Sequence, residues 1–208
     1  MSKLKESLRI IKQALTTFSP GEIFLSFNGG KDCTVLLDLI HSSNLTGARE
    51  IKCIYVRPLN PFSEIEEFVE QCREHYGITI STVNGGIKSA LEAICREDTQ
   101  IKACIMGSRR SDPYCEQLEP FKETDAGWPK LMRINPLLDW TCDDIWNYIR
   151  EQNVPYCTLY ERGYTSIGDK TNTIPNPHLK VESKDEEATY LPAYALKDAD
   201  KYERAGRL

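Results

Sequence analysis

Residues 26 to 34 read "SFNGGKDCT" and follow directly on the apolar run "EIFL". Gly29 and Gly30 permit positive φ and let an anion approach backbone N–H groups closely. Lys31 adds a full positive charge and Asp32 a carboxylate. The "VLLDLI" that comes next reads as a helix with its positive end turned back on the loop. Such a loop is a seat for phosphates; the plainer alternative is a strand-to-helix turn with an incidental lysine. It is not a Walker A loop, which would require glycine where Leu25 stands and serine or threonine where Asp32 stands.

A second set lies in "GSRRSD", residues 107 to 112. Gly107 leaves room for a nucleotide, Arg109 can meet an anion, and Asp112 can hold Mg²⁺ or orient its neighbours. A loop salt bridge between Arg109 and Asp112 is the alternative, and Arg110 reads as a surface charge. Asp32 and Asp112 together suit Mg²⁺, which binds through few carboxylates plus phosphate oxygens. Asp125 and Trp128 pair a carboxylate with a broad aromatic face, apt for a flat heterocycle bearing N–H donors. A tryptophan wedged into the domain surface explains them equally well. Arg133 either supports that pair or neutralises a core carboxylate. Trp140 and Trp146, in "DWTCDDIW", fit helix packing.

The elements that must carry these residues alternate along the chain. "LKESLRIIKQAL" sets Leu4, Leu8, Ile11 and Leu15 on one helical stripe. Strands are then expected at 22–27, 51–56, in "ITISTV", at 103–108 and in "LMRINPL". Helices are expected at 33–42, about 63–75, in "KSALEAIC" and in "CDDIWNYIREQ", the last capped by Thr141. This alternation implies βαβ units: an α/β fold with an open, mostly parallel twisted sheet and helices on both faces. Ligands of such sheets bind beyond the carboxyl ends of the strands, where strand order reverses. Residues 109–131 and 154–190 show no periodicity, and loops this long favour function. The tail "LKDADKYERAGRL" reads as a helix or a mobile segment, and the whole chain as a single domain with a loop-rich subregion from about 154 to 208.

Composition narrows the classes. With 208 residues and a net charge of -5, the chain has room for one real core and no long basic block for nucleic acid. It opens on no basic segment with an apolar core behind it, and no 18-residue apolar run occurs, so neither a secretory signal nor a membrane span is expected. None of the eight cysteines stands three residues from another, which excludes CxxC zinc or redox pairs. Buried free thiols in a reducing cytosol are the expectation, and a disulfide set the alternative.

"SFNGGKDC" resembles the PP-loop of the ATP pyrophosphatases, in the variant found in eukaryotic FAD synthases. "MGSRRSDP", "TDAGWPKLMRINPLLDW" and "VPYCTLYERGYTSIGDKTNTIPNPHL" resemble the same family, so that the likeness covers roughly residues 22 to 180. The resemblance implies an adenine nucleotide alpha hydrolase-like fold, an adenylyl transfer from ATP to FMN giving FAD and pyrophosphate, and Mg²⁺ as cofactor. It implies Ser26, Phe27, Asn28, Gly29, Gly30, Lys31, Tyr55, Val56, Arg57, Gly107 and Arg109 around ATP, with adenine near residues 55–57. Asp125, Trp128 and Arg133 would recognise the flavin. Asn28, Lys31, Asp32, Asp112, Arg204 and Arg207 would carry the chemistry, Asp32 and Asp112 with the metal and the two arginines of "YERAGR" as phosphate clamps. A solvated tail is the alternative for those arginines.

The resemblance further implies small-molecule substrates, a monomer in the cytoplasm with a mitochondrial form left open, and FAD-requiring apoenzymes as recipients of product. It leaves open a longer form with an N-terminal molybdopterin-binding-like domain. Rival chemistries on the same fold fit less well. A phosphosulfate reductase wants a cysteine nucleophile near its C-terminus, and none follows Cys157; a thiouridine synthase wants a CxxC pair and a basic RNA surface. A catalytically dead nucleotide- or flavin-binding module is the alternative from another class, against which Lys31, Asp32 and Asp112 argue.

Overall fold

Short apolar runs bounded by turn residues become the strands of one sheet in the computed structural model, which describes residues 2–43, 45–181 and 188–208. They are β1 (Ile23–Phe27), β2 (Lys52–Arg57), β3 (Ile80–Asn84), β4 (Ala103–Ile105), β5 (Phe121–Glu123) and β6 (Met132–Ile134). Their order is β3-β2-β1-β4-β6-β5. All neighbours run parallel except β5, which pairs antiparallel with β6. The chain moves outward from β1 to β3 and then crosses back to place β4 on the other side of β1. The reversal of strand order therefore falls between β1 and β4, and a crevice opens beyond their carboxyl ends.

Helices cover both faces, as expected. α1 (Lys3–Thr17), α2 (Lys31–Ser42), α3 (Ser63–Tyr76) and α5 (Cys142–Gln152) share one core with Ile23, Leu25 and Phe27 of β1. α4 (Ile87–Glu97) closes the other face through Leu91 and Ile94, which join Phe24, Ile54 and Cys104. Alternate residues of β1 thus feed opposite cores, as the pleat requires. Trp140 and Trp146 are buried in the first core, and all eight cysteines are free thiols. No helix among the described residues is long and apolar enough to cross a membrane.

Several elements differ from the sequence expectation for identifiable reasons. The buried face of α1 is Ser7, Ile10, Ile11 and Ala14, whereas Leu4 is exposed. Ser7 turns inward because its Oγ donates to the Pro136 carbonyl at 2.7 Å and accepts from Trp140 Nε1 at 2.9 Å. α2 begins at Lys31 rather than near Cys33, so Gly30 is its N-cap and the loop glycines sit directly on the helix end. β4 stops at Ile105, which frees Met106 to Ser108 to turn into the crevice. β5 lies within the aperiodic 109–131 stretch, a three-residue edge strand too short to show a pattern.

Residues 154–181 and 188–190 form single 3₁₀ turns and a small antiparallel pair, β7 (Lys180–Val181) with β8 (Thr189–Tyr190). Residues 182–187 of the loop-rich stretch lie outside the described residues. The charged tail is packed rather than loose. It carries α6 (Ala199–Tyr202), and Arg207 then bridges antiparallel to Thr173.

Candidate active site

A cleft of about 540 Å³ opens at the β1/β4 crossing, within the ordinary size range of small-molecule sites. One wall is the loop between β1 and α2. Gly29 holds φ +73, a conformation that a side chain would strain, and a Cβ there would press on Ile65 at 3.0 Å. The Asn28 side chain folds back, its Oδ1 accepting the Gly30 N–H at 2.8 Å. The Lys31 N–H donates to the phenol oxygen of Tyr160 at 2.8 Å. The opposite wall is the chain leaving β4. A Cβ on Gly107 would stand 3.1 Å from the Cys33 nitrogen, so glycine lets this strand exit lie directly on the start of α2.

Between these walls lies a buried ionic network. Lys31 Nζ sits 2.9 Å from Asp32 Oδ2 and 2.9 Å from Glu203 Oε2. Arg109 Nε is 2.7 Å from Asp32 Oδ1; its other nitrogens meet Glu203 Oε1, and Asp200 Oδ1 at 2.9 Å. Lys31 and Glu203 are each only 3% exposed and Arg109 only 1%, so water screens little of this attraction. Burial opposes the Lys31 charge, yet Asp32 and Glu203 hold its pKa well above the ordinary lysine value. Burial likewise works against the Asp32 carboxylate, and Lys31 and Arg109 together bring its pKa below the usual range.

Asp112 accepts the Arg109 N–H through Oδ2 at 2.9 Å, and burial pushes its carboxyl above the usual range. Arg204 and Arg207 also line the cleft, and neither has a carboxylate partner among the described residues. Among the described residues the Arg207 guanidinium packs on Gly168 and its one side-chain hydrogen bond is to Ser166 Oγ, at 3.4 Å; burial together with the nearby Arg204 lowers its pKa. The two are therefore uncompensated positive charges facing an open space.

The structure gathers most of the expected residues here. Ser26, Asn28, Gly30, Lys31, Asp32, Val56, Gly107, Arg109, Asp112, Arg204 and Arg207 all line the cleft. Phe27 is instead core, Tyr55 donates its buried hydroxyl to Glu66, and Arg57 pairs with Glu66 at 2.8 Å. Asp125, Trp128 and Arg133 are not on its wall. The first two lie in the turn between β5 and β6, at the amino end of β6, where Arg133 reaches Asp125 at 3.5 Å.

Tyr160, Glu203, Asp200 and the Gly85–Gly86 pair were missed. A signal existed for the glycines: "VNGG" at the end of β3 echoes "FNGG" at the end of β1.

The site holds no cage for a metal: among the described residues no three or more His, Cys, Asp or Glu are grouped to take one. Both oxygens of Asp32 already face cations. Asp112 lacks such a partner, and its raised pKa marks a carboxylate that a cation would relieve. An ion shared between one carboxylate and a bound polyphosphate fits this donor set.

Comparison with known proteins agrees with the geometry. The chain matches the phosphoadenosine phosphosulfate reductase domain over residues 22–94 and 85–175. It is 40% identical to a probable FAD synthase of Schizosaccharomyces pombe, across 99% of this chain and 79% of that protein. It is 36% identical to a probable FAD synthase of Caenorhabditis briggsae, across 99% of this chain but 40% of that longer protein. FMN adenylyltransferase of Candida glabrata superposes with a TM-score of 0.87 at 28% identity, covering 99% of this chain and 88% of that one. That enzyme has been solved with FMN and the ATP analogue AMPCPP, and with FAD and inorganic pyrophosphate.

Proposed function

The chain belongs to the FAD synthases within the phosphoadenosine phosphosulfate reductase domain family, and from that premise we propose that it joins the AMP moiety of ATP to FMN, releasing FAD and pyrophosphate. The observation that carries this reading is the cleft itself. A glycine loop and a helix end stand on one side of the strand-order reversal, and two arginines without carboxylate partners among the described residues line the same cleft.

The FMN phosphate is largely a dianion near neutral pH, its second pKa being about 6, so its oxygen needs no general base to attack the α-phosphorus. The obstacles are repulsion between two polyanions and their alignment, which makes catalysis a matter of positioning and electrostatics. Arg204 and Arg207 supply charge to the attacking and leaving phosphates. The first turn of α2 presents its N–H end to the departing diphosphate. Tyr160 accepts from Lys31 N–H through its oxygen and so keeps its own proton to donate, and burial raises its pKa so that the proton stays on. Asn28 holds the loop's turn, through which the α-phosphate is oriented. Mg²⁺, held by Asp112 with Asp32 behind it, would neutralise phosphate charge when bound.

The test is pyrophosphate release from the purified chain with Mg²⁺. Release requiring both FMN and ATP is expected, with CTP and riboflavin as poor substitutes. Release from ATP alone, or none at all, would sink the assignment.

A further inference from the structure

The ionic network carries a division of labour that the shared motifs do not assign. Lys31 and Arg109, the cations nearest the loop, are matched by two carboxylates, the buried Glu203 and the partly buried Asp32. A compensated set of this kind has little net charge to offer a polyphosphate, and buried pairs are better understood as fixing position than as adding stability. Among the described residues, the uncompensated charge belongs to Arg204 and Arg207, on the segment that carries Glu203.

That segment does not need the Glu203 carboxylate to stay on the protein. Thr165 Oγ1 donates to the Glu203 carbonyl at 2.6 Å, and Asn176 Nδ2 to the Tyr202 carbonyl at 2.8 Å. Farther along, Ile174 N–H donates to the Gly206 carbonyl and Leu208 N–H to the Asn172 carbonyl, each at 2.9 Å. All of these anchors lie in the loop-rich region. Only the side chains of Glu203 and Asp200 reach across to Arg109, and only Glu203 reaches Lys31. Lys31 follows β1 and Arg109 follows β4, so one carboxylate ties the tail to both walls of the crevice.

We propose that Glu203 is a positioning residue for adenylyl transfer: its carboxylate sets the C-terminal segment against Lys31 and Arg109 and so delivers Arg204 and Arg207 to the phosphates. The role rests on the reading of the cleft as the place where FMN and ATP meet. Both Glu203 oxygens are taken up by Lys31 and Arg109. The effect of Glu203 passes through its neighbours in sequence, and its loss should appear as the loss of an arginine appears.

The experiment is a double-mutant cycle in the full chain: Glu203→Gln, Arg207→Ala and the two combined. Each is measured for kcat, for both KM values and for its unfolding midpoint. E203Q is expected to lower kcat about tenfold to a hundredfold, the range for losing a charged hydrogen-bond partner. The KM for FMN should shift by less than about threefold, because the arginines act mainly in the transition state. Adding E203Q to R207A should cost clearly less than E203Q costs alone, since Arg207 is already gone and only the delivery of Arg204 is left to lose.

Glu203→Asp, which keeps the charge on a shorter arm, should recover part of the rate. Losses that multiply in the double variant, or an E203Q enzyme as fast as wild type, overturn the positioning role. Should E203Q fail to fold, the cycle is run with E203D, and multiplying losses there overturn it equally. A wild-type chain that makes no FAD overturns the function; one that makes it normally confines any failure to Glu203.

Discussion

The glycine loop after β1 and the tail from Ala199 to Leu208 meet in one cleft, and they reach it by opposite routes. The loop is built locally: a buried strand, a glycine at positive φ, an N-cap glycine and a helix follow one another within a few residues. The tail is placed from a distance, by side chains of Thr165 and Asn176 and by backbone pairing to residues 172–174. The lysine in the conspicuous loop is neutralised inside the protein, whereas the arginines of the inconspicuous tail are left free to act. A charged residue in a signature can therefore hold the site together while the working charge comes from elsewhere.

The largest effect that separates the two regions is on stability. Lys31→Ala leaves the buried Glu203 and the partly buried Asp32 to Arg109 alone, and breaking a buried pair in this way costs up to about 3–5 kcal/mol. Urea unfolding should show it. The sign with pH follows from the shifts. The Lys31 pKa is raised, so its contribution is whole at neutral pH and is lost as pH climbs through that raised value. The Asp32 pKa is lowered, so its contribution persists under acid until pH falls through the lowered value. The gap between wild type and variant should hence stay level from roughly pH 6 to 9. A variant with lost activity but unchanged stability would instead make Lys31 a phosphate ligand and undo the comparison.

Arg207→Ala should behave in the opposite manner. Its removal is expected to cost roughly 2–4 kcal/mol of transition-state stabilisation, by analogy with losing one preorganised donor. The unfolding midpoint should hold or rise, because the half-buried guanidinium lacks a counter-charge among the described residues and its pKa is already depressed. Activity within a few-fold of wild type would take the arginine clamp out of the mechanism.

The same contrast explains what could be read in advance. The sheet, its helices and the Thr141 cap are legible because each is written in contiguous periodicity. Lys31, Asp32 and Arg109 are legible because they sit at strand ends, where an open parallel sheet binds ligands. Glu203 is not, since a lone glutamate in a charged tail looks like any solvated residue until Lys31 and Arg109 are seen around it. The α1 stripe is legible only in part: Ile11 is buried and Leu15 packs on the core, but Ser7 finds two buried hydrogen-bond partners that no local pattern announces. β5 was missed because three residues on a sheet edge display no alternation.

Trp128 offers a third region against which to set the first two, with a smaller expected effect. It lies off the phosphate cleft and is 38% exposed, in a turn whose Trp128 N–H donates to the Asp125 carbonyl at 3.2 Å. If the flavin ring extends from the cleft to this turn, Trp128→Ala should weaken FMN binding by about 1 kcal/mol, the worth of one aromatic contact. ATP binding should hold. Isothermal titration with each nucleotide separates the cases, and equal losses for both would make the tryptophan a packing residue.

The smallest effect is expected at Cys33, beside the most heavily charged residues of the site. Burial, then the neighbouring Asp32, pushes its thiol up to about 12, far above the ordinary value of about 8.5. Burial raises the other seven thiols as well, so no thiolate is poised for nucleophilic attack near neutral pH. Iodoacetamide at pH 7.5 should therefore leave FAD formation nearly intact, and the rate of inactivation should climb with pH without levelling near about 8.5. Cys33→Ser should stay within about threefold of wild type, because the position contributes a small side chain at a helix start and no chemistry. Rapid inactivation at neutral pH that Cys33→Ser abolishes would reveal a reactive thiol in the loop. The loop would then carry chemistry of its own, and the contrast between a holding loop and an acting tail would fail at the point where the two regions meet.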